Sequence, residues 1–152
     1  MKQDYHLTEE RYKEIEKKLE RLKKSRPEAA AEVSRLAELG DFSENVEYQL
    51  AKGKLRGINS GILSLEHQLN QAEIITPQKQ LDRVELGHTV TVLVDGKTKK
   101  YRILGSSETS PGRGVISHNS PLGAALVGRE AGESVMVRLA DKEVEYKILK
   151  IE

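Results

Sequence analysis

The sequence predicts an α+β protein in two parts: an antiparallel coiled-coil hairpin of two long helices, followed by a small antiparallel sheet with one short helix. The first half is rich in Leu, Ile, Glu, Lys and Ala at heptad spacing, whereas the second half is rich in Val, Gly and Thr in alternating patterns. Pro77 marks the change between them. We therefore place the hairpin in residues 1–76, a linker in residues 77–81 and the sheet domain in residues 82–152.

The composition excludes several classes of protein. The 25 basic and 24 acidic residues nearly cancel, which argues against strong independent binding to duplex DNA. The absence of Cys excludes disulfides and thiolate metal sites. The N-terminal stretch is rich in Lys and Glu and has no apolar run, so neither a signal peptide nor a membrane span is expected. We expect a cytoplasmic monomer with no membrane partner.

The first helix is predicted to start at Thr8, because a hydroxyl cap is followed by Glu9 and Glu10 in the positively polarised first turn. Pro27 lies inside this helix, but the apolar spacing stays in phase across it, so a bend and not a break is expected. Seam residues recur three or four apart. They are Tyr12, Ile15, Leu19, Leu22, Arg26, Ala29, Val33 and Leu36.

The second helix repeats this spacing from Tyr48 to Ala72. In an antiparallel pair the residue numbers of facing partners keep a constant sum, and pairs such as Ala29 with Ile58 and Leu19 with Leu69 do so to within one. The two helices are therefore predicted to pack in register along their whole length. Three glycines interrupt the second helix, and each costs about 1 kcal/mol relative to Ala.

Two acids, Asp41 and Glu44, lie in the stretch "GDFSENVEY" that separates the helices. Locally, Asp41 and Glu44 could form a capping box that starts the second helix. The symmetry of the seam instead centres the hairpin near residue 43 or 44, which places both acids in an exposed tip over residues 40–47. Carboxylates suit Mg²⁺, but two of them do not bind it tightly alone. We expect this pair to complete a metal site that belongs to a partner, while Glu47 fits an ordinary first-turn acid.

Other residues of the tip have two interpretations each. Phe42 is either a loop anchor or a surface for base stacking. Ser43 either hydrogen-bonds a metal-bound water or, together with Asn45, caps the second helix. All three residues are expected to support the tip.

A basic run follows the tip, with no acid between Glu47 and Glu66. It either contacts the phosphates of RNA or forms a solvated face. Arg35, on the first helix, would extend it. The run consists of Lys52, Lys54 and Arg56.

The second half is predicted to form two strand hairpins with a short helix between them. Residues 88–104 alternate around Asp95 and Gly96, a strong hairpin signal, and residues 133–152 alternate around Asp141. Ser120 is predicted to cap the short helix, with Pro121 in its first turn and Gly128 at its end. Three apolar side chains of this segment are expected in the core: Leu122, Leu126 and Val127.

The four histidines show no metal-ligand spacing and are expected at the surface. They are His6, His67, His88 and His118. The sequence contains no phosphate-binding Gly loop and no catalytic triad.

Three segments resemble the bacterial transcript cleavage factors of the GreA/GreB family: "RPE" at 26–28, "ELGDFSENVEY" at 38–48 and "SPLGAALVGREAGESV" at 120–135. The resemblance implies an FKBP-like fold for residues 82–152. It also implies that the coiled coil enters the secondary channel of RNA polymerase. There Asp41 and Glu44 would hold a weakly bound Mg²⁺, so that the polymerase itself hydrolyses the 3′ end of backtracked RNA. The factor would supply metal ligands without being an enzyme, and would bind no Mg²⁺ tightly alone.

The same resemblance implies that the second domain docks on the rim of the polymerase channel, through Ser120, Pro121, Leu122 and Gly123. The chain departs from the family at Ala124, where a basic residue is common. Peptidyl-prolyl isomerisation, the rival function suggested by an FKBP-like fold, needs an aromatic pocket, and this half offers only Tyr101 and Tyr146.

Two further alternatives are a channel-binding inhibitor without cleavage activity and a passive coiled-coil scaffold. Known inhibitors of this build alter the tip acids, which this chain retains. The A and B subtypes of the family are not distinguished.

Overall fold

The computed structural model of the chain describes residues 3–40, 45–76 and 79–152. The chain divides into two compact units, of which one is the continuous stretch Tyr12–Gln71. The other combines the residues up to Arg11 with Ala72–Glu152. This division differs from the predicted boundaries, because short strands on both flanks of the helices pair with each other and belong to the second unit.

Two long helices, α1 (Glu9–Ala37) and α2 (Val46–Gln71), form the predicted hairpin. The Thr8 hydroxyl and the Asn45 amide oxygen each accept a hydrogen bond of 3.1 Å from the backbone N–H three residues on. Each such cap contributes about 1 kcal/mol. The predicted start at Thr8 is confirmed. The cap of α2 is Asn45. The alternative capping box of Asp41 and Glu44 falls on residues outside the described ones. No helix in the described part of the chain is both long and apolar enough to cross a bilayer.

The seam between the helices follows the predicted heptads. Ala29 packs with Ile58 and Ile62 in one apolar cluster, with Leu22 at its edge, so the in-register antiparallel pairing is confirmed. Burying an Ile or Leu side chain contributes about 1.5–3 kcal/mol, which makes this seam the main source of stability for the hairpin. Arg26 is exposed and does not join the seam. The buried residues are Ile15, Ala29 and Leu36 in α1 and Ile58, Ile62 and Leu65 in α2.

Pro27 lies inside α1 without ending it, as predicted. A proline lacks the N–H that would bond to the carbonyl four residues earlier. Two residues earlier, the Ser25 hydroxyl donates to the Leu22 carbonyl oxygen at 2.8 Å. The helix nevertheless continues through the proline, and its seam residues pack on both sides of it.

A two-stranded parallel sheet, absent from the sequence-based prediction, joins β1 (His6–Thr8) to β2 (Glu73–Ile75). Leu7, in the middle of β1, is buried. Thr8 also donates its N–H and its hydroxyl to the Glu108 carboxylate, at 2.7 and 2.8 Å. Thr8 and Glu108 belong to the same unit, so these hydrogen bonds attach β1 to the segment that carries Glu108.

The main sheet has five strands in the order β5-β4-β3-β7-β6. The α+β class is confirmed, but β4 and β5 run parallel, so the sheet is mixed and not purely antiparallel. The reason is that the segment 105–114, with two short 3₁₀ turns, carries the chain back before β5 begins. The strands are β3 (Thr89–Val94), β4 (Lys97–Leu104), β5 (Val115–Ser117), β6 (Ser134–Leu139) and β7 (Lys142–Ile151).

Both predicted strand hairpins are confirmed. Asp95 and Gly96 link β3 to β4 with φ values of 50° and 73°, as a tight two-residue turn requires. A bulge between β3 and β7 shifts the register, so that Ile148 and Ile151 both point into the core. The core of this unit therefore lies on one face of the sheet, where α3 covers it.

The short helix α3 (Pro121–Leu126) begins as predicted, since the Ser120 hydroxyl accepts a hydrogen bond of 3.0 Å from the backbone N–H of Gly123. Gly128 follows its end with a φ of 85°. Leu122 and Leu126 are buried as expected. Val127 is 36% exposed, which corrects the prediction that it belongs to the core. Its backbone has already left the helical conformation, which turns the side chain off the buried face of α3.

The prediction of four surface histidines holds only for His67, which is exposed. His88 is 2% exposed, and its Nδ1 accepts the backbone N–H of Glu85 at 2.9 Å. His6 and His118 are half-buried and lie beside each other. No local sequence pattern predicts that His6 and His118 lie side by side, because the two residues come from distant parts of the chain.

Candidate functional site at the end of the helical hairpin

The connection between the two helices runs over residues 38–45. Leu39 donates its N–H to the carbonyl oxygen of Leu36 at 3.2 Å, which completes the last turn of α1. Gly40 follows with a φ of 111°, a region that residues with a Cβ rarely adopt. The glycine therefore turns the chain out of α1 directly before the acidic stretch.

Asp41, Phe42, Ser43 and Glu44 lie outside the described residues, so their roles stay predictions. The residues on either side are described: Gly40 leaves α1, and Asn45 caps α2.

The connection lies nearer to α1 than the predicted tip of residues 40–47, because α2 is already capped at Asn45. Glu47 is thereby placed in the first turn of α2. An acid is favourable there beside the positive end of the helix dipole, which is its expected ordinary role.

Arg35 forms a bidentate ion pair with Glu32 on the same helix. Its Nε and Nη2 donate to the two carboxylate oxygens at 3.0 and 2.6 Å. These hydrogen bonds hold the pKa of Glu32 below its ordinary value and raise the pKa of Arg35. Both groups are exposed, so the pair adds little to stability.

The basic run of α2 divides over different faces. Lys52 and Arg56 are four residues apart and share a face, and the Lys52 ammonium lies 5.2 Å from the centroid of the Tyr48 ring. Lys54 falls on another face. Its positive charge lowers the pKa of Glu32, although the effect of Arg35 on that pKa is larger. The predicted patch therefore consists of Lys52 and Arg56 on one face and of Lys54 on another face, near the acid Glu32.

The predicted docking residues Ser120–Gly123 are brought together at the start of α3, but most of them have structural roles. The Ser120 hydroxyl donates to the carbonyl oxygen of Ser117 at 2.6 Å and caps the helix. Leu122 and Gly123 are buried, and a Cβ on Gly123 would collide with that same carbonyl oxygen of Ser117. Pro121 is exposed and provides the accessible surface of this turn.

A second polar cluster, centred on Asp4, was missed by the sequence analysis. The His6 Nδ1 lies 2.7 Å from one carboxylate oxygen of Asp4, and the His118 Nε2 lies 2.8 Å from the other. The Asp4 side chain is 5% exposed. Asp4 and His6 are only two residues apart in the sequence, but His118 is 114 residues away from Asp4. Residue spacing alone therefore could not predict the cluster.

The Asp4 carboxylate is ionised in the fold. Burial alone would raise its pKa, but hydrogen bonds from the Ser106 N–H, the two His rings and the His6 N–H outweigh burial and lower the pKa. The Ser106 N–H and hydroxyl donate to Asp4 at 2.9 and 3.0 Å. Asp4 therefore joins β1 to two loops of the same unit.

Comparison with known proteins finds similar sequences over nearly the whole chain. Residues 5–74 match the family model described as "Transcription elongation factor, N-terminal", and residues 78–152 match "Transcription elongation factor, GreA/GreB, C-term". Transcription elongation factor GreA of Nitratiruptor sp. is 36% identical over 99% of this chain and 94% of its own. GreA of Nautilia profundicola is 41% identical over 95% and 92%. A solved structure of the transcription factor Gfh1 is 25% identical, covers 100% of this chain and 99% of that chain, and superposes with a TM-score of 0.47.

These matches define a class, the transcription elongation factors. The chain belongs to the GreA/GreB family within that class.

Proposed function

We propose that the protein inserts its helical hairpin into the secondary channel of bacterial RNA polymerase and stimulates Mg²⁺-dependent cleavage of the 3′ end of backtracked RNA. One observation carries the proposal: both acids of the connection fall between Gly40, which leaves α1, and Asn45, which caps α2. Membership of the GreA/GreB family supports it. Action on the polymerase implies a cytoplasmic location.

The packed seam explains how the connection is presented. Leu36 is 2% exposed one residue before α1 ends, so the helices stay packed close to the connection. The packed helices thus form an ordered support on both sides of the connection, at Gly40 and at Asn45.

The donor set of the connection fits Mg²⁺, which prefers carboxylate oxygens and takes one or two of them with water and phosphate as the other ligands. Asp41 and Glu44 would hold the ion jointly with the polymerase. When bound, the ion stabilises charge on the phosphate and activates water. Ser43 would hydrogen-bond within this site, and Phe42 would anchor the connection or stack on a base. The chain contributes ligands and positioning, and the polymerase carries out the hydrolysis.

Lys52 and Arg56 would contact phosphates of the extruded RNA, because both lie on one face of α2, where Arg56 is exposed and Lys52 is half-buried. Arg35 and Lys54 lie beside Glu32, which weakens their attraction for phosphate. Docking on the polymerase would use Pro121 together with the neighbouring Ser120. Because basic and acidic residues nearly balance, the protein is expected to bind little duplex DNA.

The test is a cleavage assay on stalled, backtracked polymerase with Mg²⁺, which follows the release of short 3′ RNA fragments. Asp41→Asn and Glu44→Gln should each slow cleavage by at least about tenfold, since even groups behind a metal ligand contribute that much. Glu47→Gln is the matched control, because Glu47 is an exposed acid three residues from Glu44 but inside α2. It should cleave at the wild-type rate.

Binding to the polymerase, measured in parallel by competition, separates the alternatives. Loss of cleavage with retained binding supports the proposal, and full cleavage by both acid variants contradicts it. Blocked elongation without cleavage by the wild type would indicate a channel-binding inhibitor. No effect of the wild type on the polymerase would indicate a scaffold.

A further inference from the structure

We propose that Asp4, His6 and His118 form a binding site for one Zn²⁺-like divalent transition metal ion, separate from the tip and independent of cleavage. Each residue offers one ligand atom, and these three atoms all lie within 4.8 Å of one another. The site lies in the unit that contains β1 and the main sheet.

The spacing of the ligand atoms suits an ion of this size. In a tetrahedral site, bonds of about 2.0–2.2 Å place neighbouring ligand atoms about 3.3–3.6 Å apart. Here the two imidazole nitrogens lie 2.7 and 2.8 Å from two different oxygens of Asp4. The rings therefore have to move outward by at least about 0.5 Å to admit the ion.

The surroundings of His6 favour a cation in this position. Its Nδ1 faces Asp4 at 2.7 Å, while its Nε2 faces Glu73 at 3.1 Å. A neutral imidazole carries a single N–H, so it can donate to only one of these two carboxylates. A metal ion bound to Nδ1 would replace the hydrogen bond to Asp4 and leave the single N–H of the ring directed at Glu73.

His118 brings a second imidazole to the site. The rings of His6 and His118 lie edge to face, with centroids 5.0 Å apart. One divalent ion would accept a lone pair from each ring beside the Asp4 carboxylate.

The groups behind the ligands are those that metal sites use. Glu73 stands behind His6, in the arrangement of a carboxylate–histidine–metal triad. The Ser106 N–H and hydroxyl donate to the Asp4 oxygen that also faces His118, and so hold the carboxylate in place. The rings of His6 and His118 are 33% and 19% exposed, so an ion reaches them from solvent.

The ligand types select the metal. Two imidazole nitrogens and one carboxylate suit Zn²⁺, Co²⁺ or Ni²⁺, whereas Mg²⁺ prefers oxygen ligands. A bound ion would fasten β1, which carries His6, to the loop before α3, which carries His118. The role we infer is therefore stabilisation of this unit by a metal that differs from the one proposed for the tip.

Isothermal titration calorimetry of the full, chelator-treated chain with Zn²⁺ and, separately, Mg²⁺ tests the site. We expect one Zn²⁺ per chain and no heat from Mg²⁺. His6→Gln and His118→Gln should each weaken Zn²⁺ binding by at least about 100-fold, and Glu73→Gln by about tenfold. His67→Gln is the matched control, since His67 is an exposed histidine in the other unit, and it should bind as the wild type.

Two further readouts do not depend on calorimetry. Bound Co²⁺ should give the visible absorption of a nitrogen-ligated site in the wild type and not in His118→Gln. Zn²⁺ should raise the melting temperature of the wild type but not that of the ligand variants. The proposal is overturned if the wild type binds no Zn²⁺, whatever the variants do, or if His67→Gln loses binding as His118→Gln does.

Discussion

Gly57 and Gly61 lie one turn apart in α2, but only Gly57 has room for a side chain. A Cβ at Gly57 would meet no atom within 4 Å outside the local backbone, whereas a Cβ at Gly61 would lie 2.9 Å from Cδ1 of Leu22. Replacing Gly by Ala inside a helix gains about 1 kcal/mol. At Gly61 the half-buried Leu22 has to leave its rotamer, at a cost of about 0.5–1.5 kcal/mol. Gly57→Ala should therefore stabilise the hairpin by about 1 kcal/mol, and Gly61→Ala should leave its stability nearly unchanged.

Urea unfolding followed by far-UV circular dichroism measures the free energy of unfolding, and hydrogen exchange of the α2 amides reports on the hairpin alone. Gly53→Ala is the control, because a Cβ at Gly53 also meets nothing within 4 Å, and it should match Gly57→Ala. Equal gains at Gly57 and Gly61 would show that Leu22 does not limit the space. A loss of stability at Gly57 would refute the reasoning altogether.

Ile58→Ala should lower the free energy of unfolding by about 2–5 kcal/mol, because Ile58 is 8% exposed in the hairpin seam, whereas Leu63→Ala, at a site 68% exposed, should change it by less than about 0.5 kcal/mol. Urea denaturation measures both, and equal losses would contradict the seam. The Glu32 carboxyl should show an NMR pKa below its ordinary 4.5, and this pKa should rise toward 4.5 in Arg35→Gln; an unchanged pKa in the variant would refute the pairing. Because the folded pKa is lowered, the contribution of Glu32 to stability is present above pH 4.5 and is lost as the pH falls through the folded pKa. Gly123→Ala should destabilise the fold by about 1–3 kcal/mol in thermal unfolding, since the new Cβ meets a backbone oxygen; an unchanged melting temperature would mean that α3 shifts freely.

Local patterns predicted most of the fold. The heptads located both helices and their register, because the side chains that face a partner helix recur at fixed spacing. Asp95 and Gly96 located the β3–β4 turn, because few residues adopt its positive φ values. The end of α1 and the start of α2 were predicted less accurately from the sequence. Asn45 and Asp41 both carry capping signals, and they lie within a few residues of each other.

Contacts between distant parts of the chain were not predictable from these patterns. The strands β1 and β2 are three residues each, too short for a periodic signal. The parallel pairing of β5 depends on how the chain returns after β4. For the candidate sites, the two tip acids stay a prediction from their position in the sequence, whereas the meeting of Asp4 with His118 depends on the whole fold.

The pairing of β1 with β2 makes the sheet-containing unit discontinuous along the chain. Closing a loop that spans both helices has an entropy cost that grows only with the logarithm of its length, and fast helix formation brings its ends nearer. A fragment that starts after β2 would lack the Thr8 groups that bind Glu108. To obtain this unit in isolation, a short linker should replace the helices while β1 and β2 are both retained.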